Sequence, residues 1–194
     1  MNWLAHLNLS EPTVAFRLGN VIADFVKGEA RLALPVEVKR GTDCHLLIDA
    51  YTDAHPVFQH SRQRVSRPNR KFASILIDIF YDHFLSVHWL DYATQPRTDF
   101  IAEVYQDFLD FTVGQVPQAR KFVEHMVQGD WLGEYVEVDG IGRTLARVSG
   151  RLGRPGLLTP MVEELTAHYT GFEQDFAEFY PQLREQVRQS GFAV

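Results

Sequence analysis

Apolar residues along the chain recur at spacings of three and four, and no stretch holds the alternation of a half-buried strand. The pattern therefore predicts helices almost throughout. They are expected over about 12 to 27, 35 to 54, 70 to 91, 97 to 112, 117 to 129, 139 to 151 and 160 to 190, after a short turn near Asn2 to Leu9. Breaks fall at Gly28, ahead of Pro35, at Ser66 to Asn69, at Pro96, at Gly114 to Pro117 and at Gly153 to Gly156. None is long enough to be a linker, and no internal repeat occurs, so one all-α domain over residues 1–194 is expected.

One helix departs from the amphipathic pattern. Between Lys71 and Leu90, the residues Ile75, Leu76, Ile77, Ile79, Phe80, Phe84, Leu85, Val87 and Trp89 leave no broad polar face at 100° per residue, which predicts a central helix. Asp78 and Asp82 then lie inside and on one face. Two bare carboxylates there would repel, and each would lose several kcal/mol of hydration. A divalent cation would compensate them, with His83 as a nitrogen ligand or as a hydrogen-bonding support for one. The alternatives are a buried network to arginine, with Asp78 or Asp82 capping a neighbouring helix, and a face that is exposed after all.

A second stripe joins His45, Asp49 and Asp53, whose spacing of four and four aligns them beside an apolar flank of Cys44, Leu47, Ile48 and Tyr51. Alone it would read as a solvated face; opposite the Asp78 helix it becomes a candidate wall of the same cavity. Asn20 and Asp24 share a third face, where Asp24 could equally be a cap. His6 is a lone histidine in an apolar turn, ordinarily a satisfied core residue.

Composition narrows the chemistry. The 194 residues are 45% apolar and 23% charged, as in an ordinary folded domain. A net charge of −6 argues against general nucleic-acid binding. No apolar run approaches the roughly 20 residues of a membrane span, and the first Lys or Arg is Arg17, so no membrane association and a cytoplasmic address are expected. Cys44 is the single cysteine, which excludes multi-cysteine metal sites. Any metal must sit on histidine and carboxylate. Motifs for a serine elbow, a phosphate loop, a His-Glu-x-x-His helix or a dinucleotide fold are absent. Cys44 and His45 would point about 100° apart on a helix, too divergent for a thiol–imidazole pair. Against the acidic background, Ser61 to Lys71 holds Arg62, Arg64, Arg67, Arg70 and Lys71 and no acid. It reads either as a solvated loop or as a contact for phosphate or an acidic partner.

Taken in order, Met1-Asn-Trp-Leu-Ala-His6-Leu7, Gly19-Asn20, Asp24-Phe-Val-Lys-Gly28, His45, Ile48-Asp49, Thr52-Asp-Ala-His-Pro56, Phe72 to His83, Asp130-Trp-Leu-Gly-Glu-Tyr135, Gly140-Ile141 to Arg147, and Phe176, Phe179, Tyr180 and Pro181 resemble the acyl carrier protein phosphodiesterases. The resemblance implies an HD-like helical fold and manganese-assisted hydrolysis of holo-acyl carrier protein to apo-protein and 4′-phosphopantetheine. The chain has no forward His-Asp pair, only the reversed Asp82-His83, and Leu46 follows His45 where the family pattern has arginine. On this footing the expected metal ligands are His6, Asp24, Asp82 and His83, with Asp78, His45 and Asp49 as catalytic groups beside them. Mn2+ is the first choice, with Mg2+ or Zn2+ as alternatives. Arg62, Arg64, Arg67 and Arg70 are the expected contacts for carrier protein. An HD-like hydrolase of nucleotides or other small phosphate esters, and a non-catalytic helical binding protein, are the alternatives.

Overall fold

A computed structural model describes residues 1–114 and 116–192. Among these there is no strand, and twelve α-helices form one body: α1 (Trp3–Asn8), α2 (Val14–Ile22), α3 (Glu29–Leu32), α4 (Val36–Ala54), α5 (Pro56–Arg64), α6 (Ala73–Val87), α7 (Trp89–Tyr92), α8 (Arg97–Gly114), α9 (Arg120–Gln128), α10 (Val138–Arg151), α11 (Val162–Ala167) and α12 (Tyr169–Gln189). No helix is long and apolar enough to cross a membrane among the described residues.

The apolar helix is central, as its pattern predicts. Leu76, Ile77, Ile79, Phe80, Tyr81, Phe84 and Leu85 of α6 are all buried, and α6 packs against α1, α5, α10 and α12. Aromatic rings fill the space between α6 and α12, with Tyr81 5.6 Å from Phe176 in an edge contact. Buried rings of this size contribute more hydrophobic stabilisation than any polar contact nearby.

Where the chain differs from the expected elements, local chemistry explains it. Pro56–Arg64 forms α5 although only Phe58 and Ser61 are buried on it; a helix this polar gives no periodic signal. Its start is set by Pro56 in the first turn and by His55, whose side chain accepts a hydrogen bond from the Val57 N–H. The expected helix 70–91 breaks at His88, and the expected helix 160–190 breaks at His168. The expected break at Gly114 to Pro117 includes Gln115, which lies outside the described residues.

The approach of α2 to α4 matters most for the site. A Cβ on Gly19 would stand 1.9 Å from the Val38 carbonyl oxygen, and one on Gly41 would stand 2.1 Å from that of Phe16. Only glycine lets these two backbones touch. The contact sets Asn20, one residue beyond Gly19, against His45, one helical turn beyond Gly41.

Candidate metal centre

Two helices place two imidazoles and a carboxylate together. His6 comes from α1, and His45 and Asp49 come from successive turns of α4. The two rings stack, with centroids 4.1 Å apart and planes inclined by 17°. Nε2 of His6 lies 3.2 Å from Asp49 Oδ1, and Nε2 of His45 lies 3.0 Å from Asp49 Oδ2. The ligand atoms of His6, His45 and Asp49 all fall within 4.8 Å of one another.

Asn20 fixes both rings. Its amide nitrogen donates to the His6 carbonyl and to Ser10 Oγ, each at 2.9 Å. Its side-chain oxygen is therefore an acceptor, and His6 Nδ1, 2.8 Å away, must be the donor. His45 Nδ1 likewise donates to the Asn20 carbonyl at 2.7 Å. That carbonyl belongs to the last turn of α2, where helix carbonyls have no partner within the helix. With both Nδ1 atoms protonated, the neutral form of each ring turns a lone pair on Nε2 toward Asp49. This is the arrangement in which metal-binding histidines are usually held.

The electrostatics of the cluster suit a cation. His6 is buried, and its Nε2 has no hydrogen-bond partner even though Asp49 is 3.2 Å away. Burial and the neighbouring His45 hold His6 down at about 4, so it is neutral. Burial acts against the charged form of His45 too, but hydrogen bonds to Asp24 and Asp49 prevail and raise it to about 9. For Asp49, burial is opposed and outweighed by His45 and His6, which hold its carboxyl well below the usual carboxylate range. A neutral imidazole lone pair thus faces a carboxylate oxygen with nothing between them.

The cluster opens on a cavity of about 460 Å3 whose wall includes Asp24, Asp49, Asp78, Phe25, Ile79 and Arg151. Asp24 lies 3.6 Å from His45 Nε2 and is exposed, at the edge of the cluster. Asp78 accepts a 2.8 Å hydrogen bond from the Met1 amine, which also lies 3.6 Å from Asp49. Asp49 and Asp78 therefore line one cavity, whereas His45 and Asp82 are not part of its wall.

Asp82 and His83 depart from the expected ligand set. Asp82 is wholly buried, and its two oxygens accept from the N–H groups of Leu4 at 2.7 Å and Ala5 at 3.2 Å. It caps α1, whose own N-cap residue, Asn2, makes no side-chain bond. Burial raises the Asp82 carboxyl to about 7, against the pull of those N–H groups. His83 points about 100° away on α6 and spends both nitrogens elsewhere, with Nδ1 2.8 Å from the Tyr135 carbonyl and Nε2 3.0 Å from the Tyr169 hydroxyl. Of the four expected ligands, the structure brings only His6 and Asp24 to the cluster, and it adds His45 and Asp49.

The arginine segment is also partly spent on structure. Arg64 forms a two-pronged pair with buried Asp175 at 2.8 and 3.1 Å. Arg70 donates to the carbonyls of Gln63 and Val65 at the end of α5. Arg62 reaches Gln59 at 3.2 Å, and Arg67 is exposed, with no side-chain hydrogen bond or ion pair among the described residues.

Comparison with known proteins agrees in sequence span. Residues 1–183 match the family model described as acyl carrier protein phosphodiesterase. The chain belongs to that family. Proteins named acyl carrier protein phosphodiesterase are 32% identical over 188 residues in Shigella boydii, covering 96% of this chain and 97% of that protein, and 31% identical over 189 residues in an Enterobacter species, covering 97% and 98%. The protein so named in Salmonella agona is 32% identical over 192 residues, covering 96% and 97%. No solved structure matches the chain significantly.

Two residues of this family member carry more of the site than their sequence context suggests. Asn20 reads only as one polar position on an apolar helix, because its role depends on the glycine contact with α4. Arg151 sits in a glycine-rich stretch that reads as a helix end, yet it lines the cavity. The signal that could have found it is its place one turn beyond Arg147 on α10.

Proposed function

We propose that this chain is a metal-dependent phosphodiesterase that releases 4′-phosphopantetheine from the serine of holo-acyl carrier protein, with His6, His45 and Asp49 holding the metal and Asp24 free to join them. The observation that carries this reading is the pair of Nε2 atoms, oriented by Asn20, that converge on Asp49. Family membership supplies the substrate class. Two imidazoles and one or two carboxylates suit Mn2+, with Mg2+ and Zn2+ as alternatives. Such an ion, when bound, supplies an acidified water and neutralises phosphoryl oxygens.

The chain's own residues do the rest. Asp78 faces the cavity with Oδ1 held by the Met1 amine, and among the described residues its Oδ2 takes no hydrogen bond. Burial pushes the Asp78 carboxyl up, against the pull of that amine. It is suited to take a proton from the attacking water. Phe25 and Ile79 form the apolar part of the cavity wall. Docking of the acidic carrier protein falls to Arg62 and Arg67, since Arg64 and Arg70 are held within the fold. Their segment leads into α6, whose Ile75 lines the cavity, and screening to about 8 Å lets this local positive charge act despite the net charge of the whole chain.

The test is mass spectrometry of holo-acyl carrier protein after incubation with enzyme, with and without Mn2+. Conversion to the apo form, dependent on metal and lost in Asp49→Ala, is expected. Unchanged holo-protein in both samples would refute the reading.

A further inference from the structure

Beside the metal cavity lies a second one of about 360 Å3 with a different character. One side is formed by Trp3 and Trp131, whose rings stack at 5.3 Å with planes 14° apart. Thr144, Val148 and Gly150 of α10 face them. The two cavities share Asn2, Val148 and Arg151 in their walls, so they are compartments of one groove that meet at Arg151. Each is within the size range of small-molecule sites.

Arg151 is placed unlike the arginine one turn before it. Arg147 is paired with Glu134. Both lie over rings of the second compartment, Arg147 over Trp131 at 5.2 Å and Arg151 over Trp3 at 5.1 Å, with Phe25 a further 5.8 Å contact of Arg151. No carboxylate lies within 4 Å of the Arg151 guanidinium among the described residues; Asp24 attracts it only from farther away. Ring stacking leaves the edge of a guanidinium, with its N–H groups, open to an oxyanion. On one side of that edge is the histidine–carboxylate cluster, and on the other a ring-lined compartment with no acidic residue in its wall, whose second cation, Arg147, is neutralised by Glu134. An elongated molecule with an anionic centre and an uncharged body matches the groove in both charge and polarity.

We propose that the Trp3–Trp131 compartment is a substrate subsite for the uncharged, amide-bearing chain attached to the phosphate, with Arg151 holding the phosphate where the two compartments meet. This rests on the phosphodiesterase reading above. A phosphodiester between a protein serine and a slender arm has only one side small enough to enter such a compartment, and the protein side must stay outside. Rings that stack against each other also suit flat amide groups, which bury apolar faces while their polar edges reach Thr144 or water.

Gly150 offers a selective test. It lines the second compartment and not the metal cavity, and a Cβ there meets nothing within 4 Å, so Gly150→Trp fills the compartment without displacing backbone. Calorimetric titration of 4′-phosphopantetheine and, separately, of inorganic phosphate into Mn2+-loaded protein reads both halves of the groove. The wild type should bind 4′-phosphopantetheine at least tenfold more tightly than phosphate. Gly150→Trp should lose that tenfold advantage while retaining its phosphate affinity, and Arg151→Met should weaken both ligands. Equal binding of 4′-phosphopantetheine by wild type and Gly150→Trp would overturn the subsite. So would a wild type that binds the two ligands equally. Failure of the functional reading is a separate result: holo-carrier protein left intact in the mass-spectrometric assay, whatever these titrations show.

Discussion

Asp49 and Asp82 both project from long helices toward α1, yet their surroundings give them opposite tasks. Asp49 is 41% exposed at its side chain and meets two imidazole nitrogens. Asp82 is 0% exposed and meets two backbone N–H groups of α1. By burial alone Asp82 is the more costly charge and would seem the more functional. The partners say otherwise: Asp82 completes hydrogen bonds that the end of α1 would otherwise lack, whereas Asp49 sits against a nitrogen that has none. The same division separates the histidines. His83 uses both of its ring nitrogens, and His6 leaves one unused. A buried polar residue marks a ligand site where its bonding is incomplete, not where it is merely deep.

That contrast predicts a double dissociation. Asp49→Ala should lower Mn2+ affinity by at least a hundredfold, with the melting temperature of the metal-free protein changed little. Asp82→Ala should keep Mn2+ affinity within about threefold while costing about 2–3 kcal/mol of stability, as expected for a buried, charge-assisted cap. At this chain length that is a drop of roughly 5–10 °C in melting temperature. Titration calorimetry and thermal denaturation of the two variants check both halves, and a reversal of the two phenotypes would break the comparison.

A smaller effect tests Asn20. Asn20→Ala removes the acceptor that fixes the His6 tautomer but leaves the main-chain acceptor of His45 in place. Loss of such an orienting partner typically weakens metal binding 10–100-fold. The expectation is a loss in that range, below that of Asp49→Ala. Wild-type affinity in a folded variant would show that the tautomer is set in another way.

The smallest effect is on pH dependence. Burial pushes the His83 imidazole below its ordinary value of 6.5. The native state then binds fewer protons at this site than the unfolded chain, so its contribution to stability is present above about pH 6.5 and is lost as the solution is acidified below that value. His83→Gln should flatten the stability profile below about pH 6.5, with Mn2+ affinity at pH 7.5 unchanged. Chemical denaturation at several pH values reads the slope directly, and an unaltered slope would remove His83 from the set of neutral buried histidines.

Much of this architecture is legible in the sequence because it rests on local periodicity. The buried course of α6 follows from its unbroken apolar surface, and the alignment of His45 with Asp49 follows from their spacing. Family resemblance brought His6 into the same group, which its place in an apolar turn does not. What remained hidden depends on contacts between distant segments. Asp82 caps a helix whose N–H groups lie at Leu4 and Ala5, 78 and 77 positions away in the chain, so its spacing from Asp78 carries no trace of that role. Arg64 looks like a free charge until Asp175 is placed beside it. Helix α5 was missed because so little of it is buried, and Arg151 because its ring partners, Trp3 and Phe25, come from the far end of the sequence.

The central claim is that the metal is held by His6 and His45 and not by His83. Pulsed electron paramagnetic resonance of protein-bound Mn2+ tests it most directly, because nitrogen nuclei coordinated to the ion modulate the echo. The account predicts two imidazole couplings in the wild type, one in His45→Gln, and an unchanged pair in His83→Gln. Loss of a coupling in His83→Gln, with both retained in His45→Gln, would contradict it.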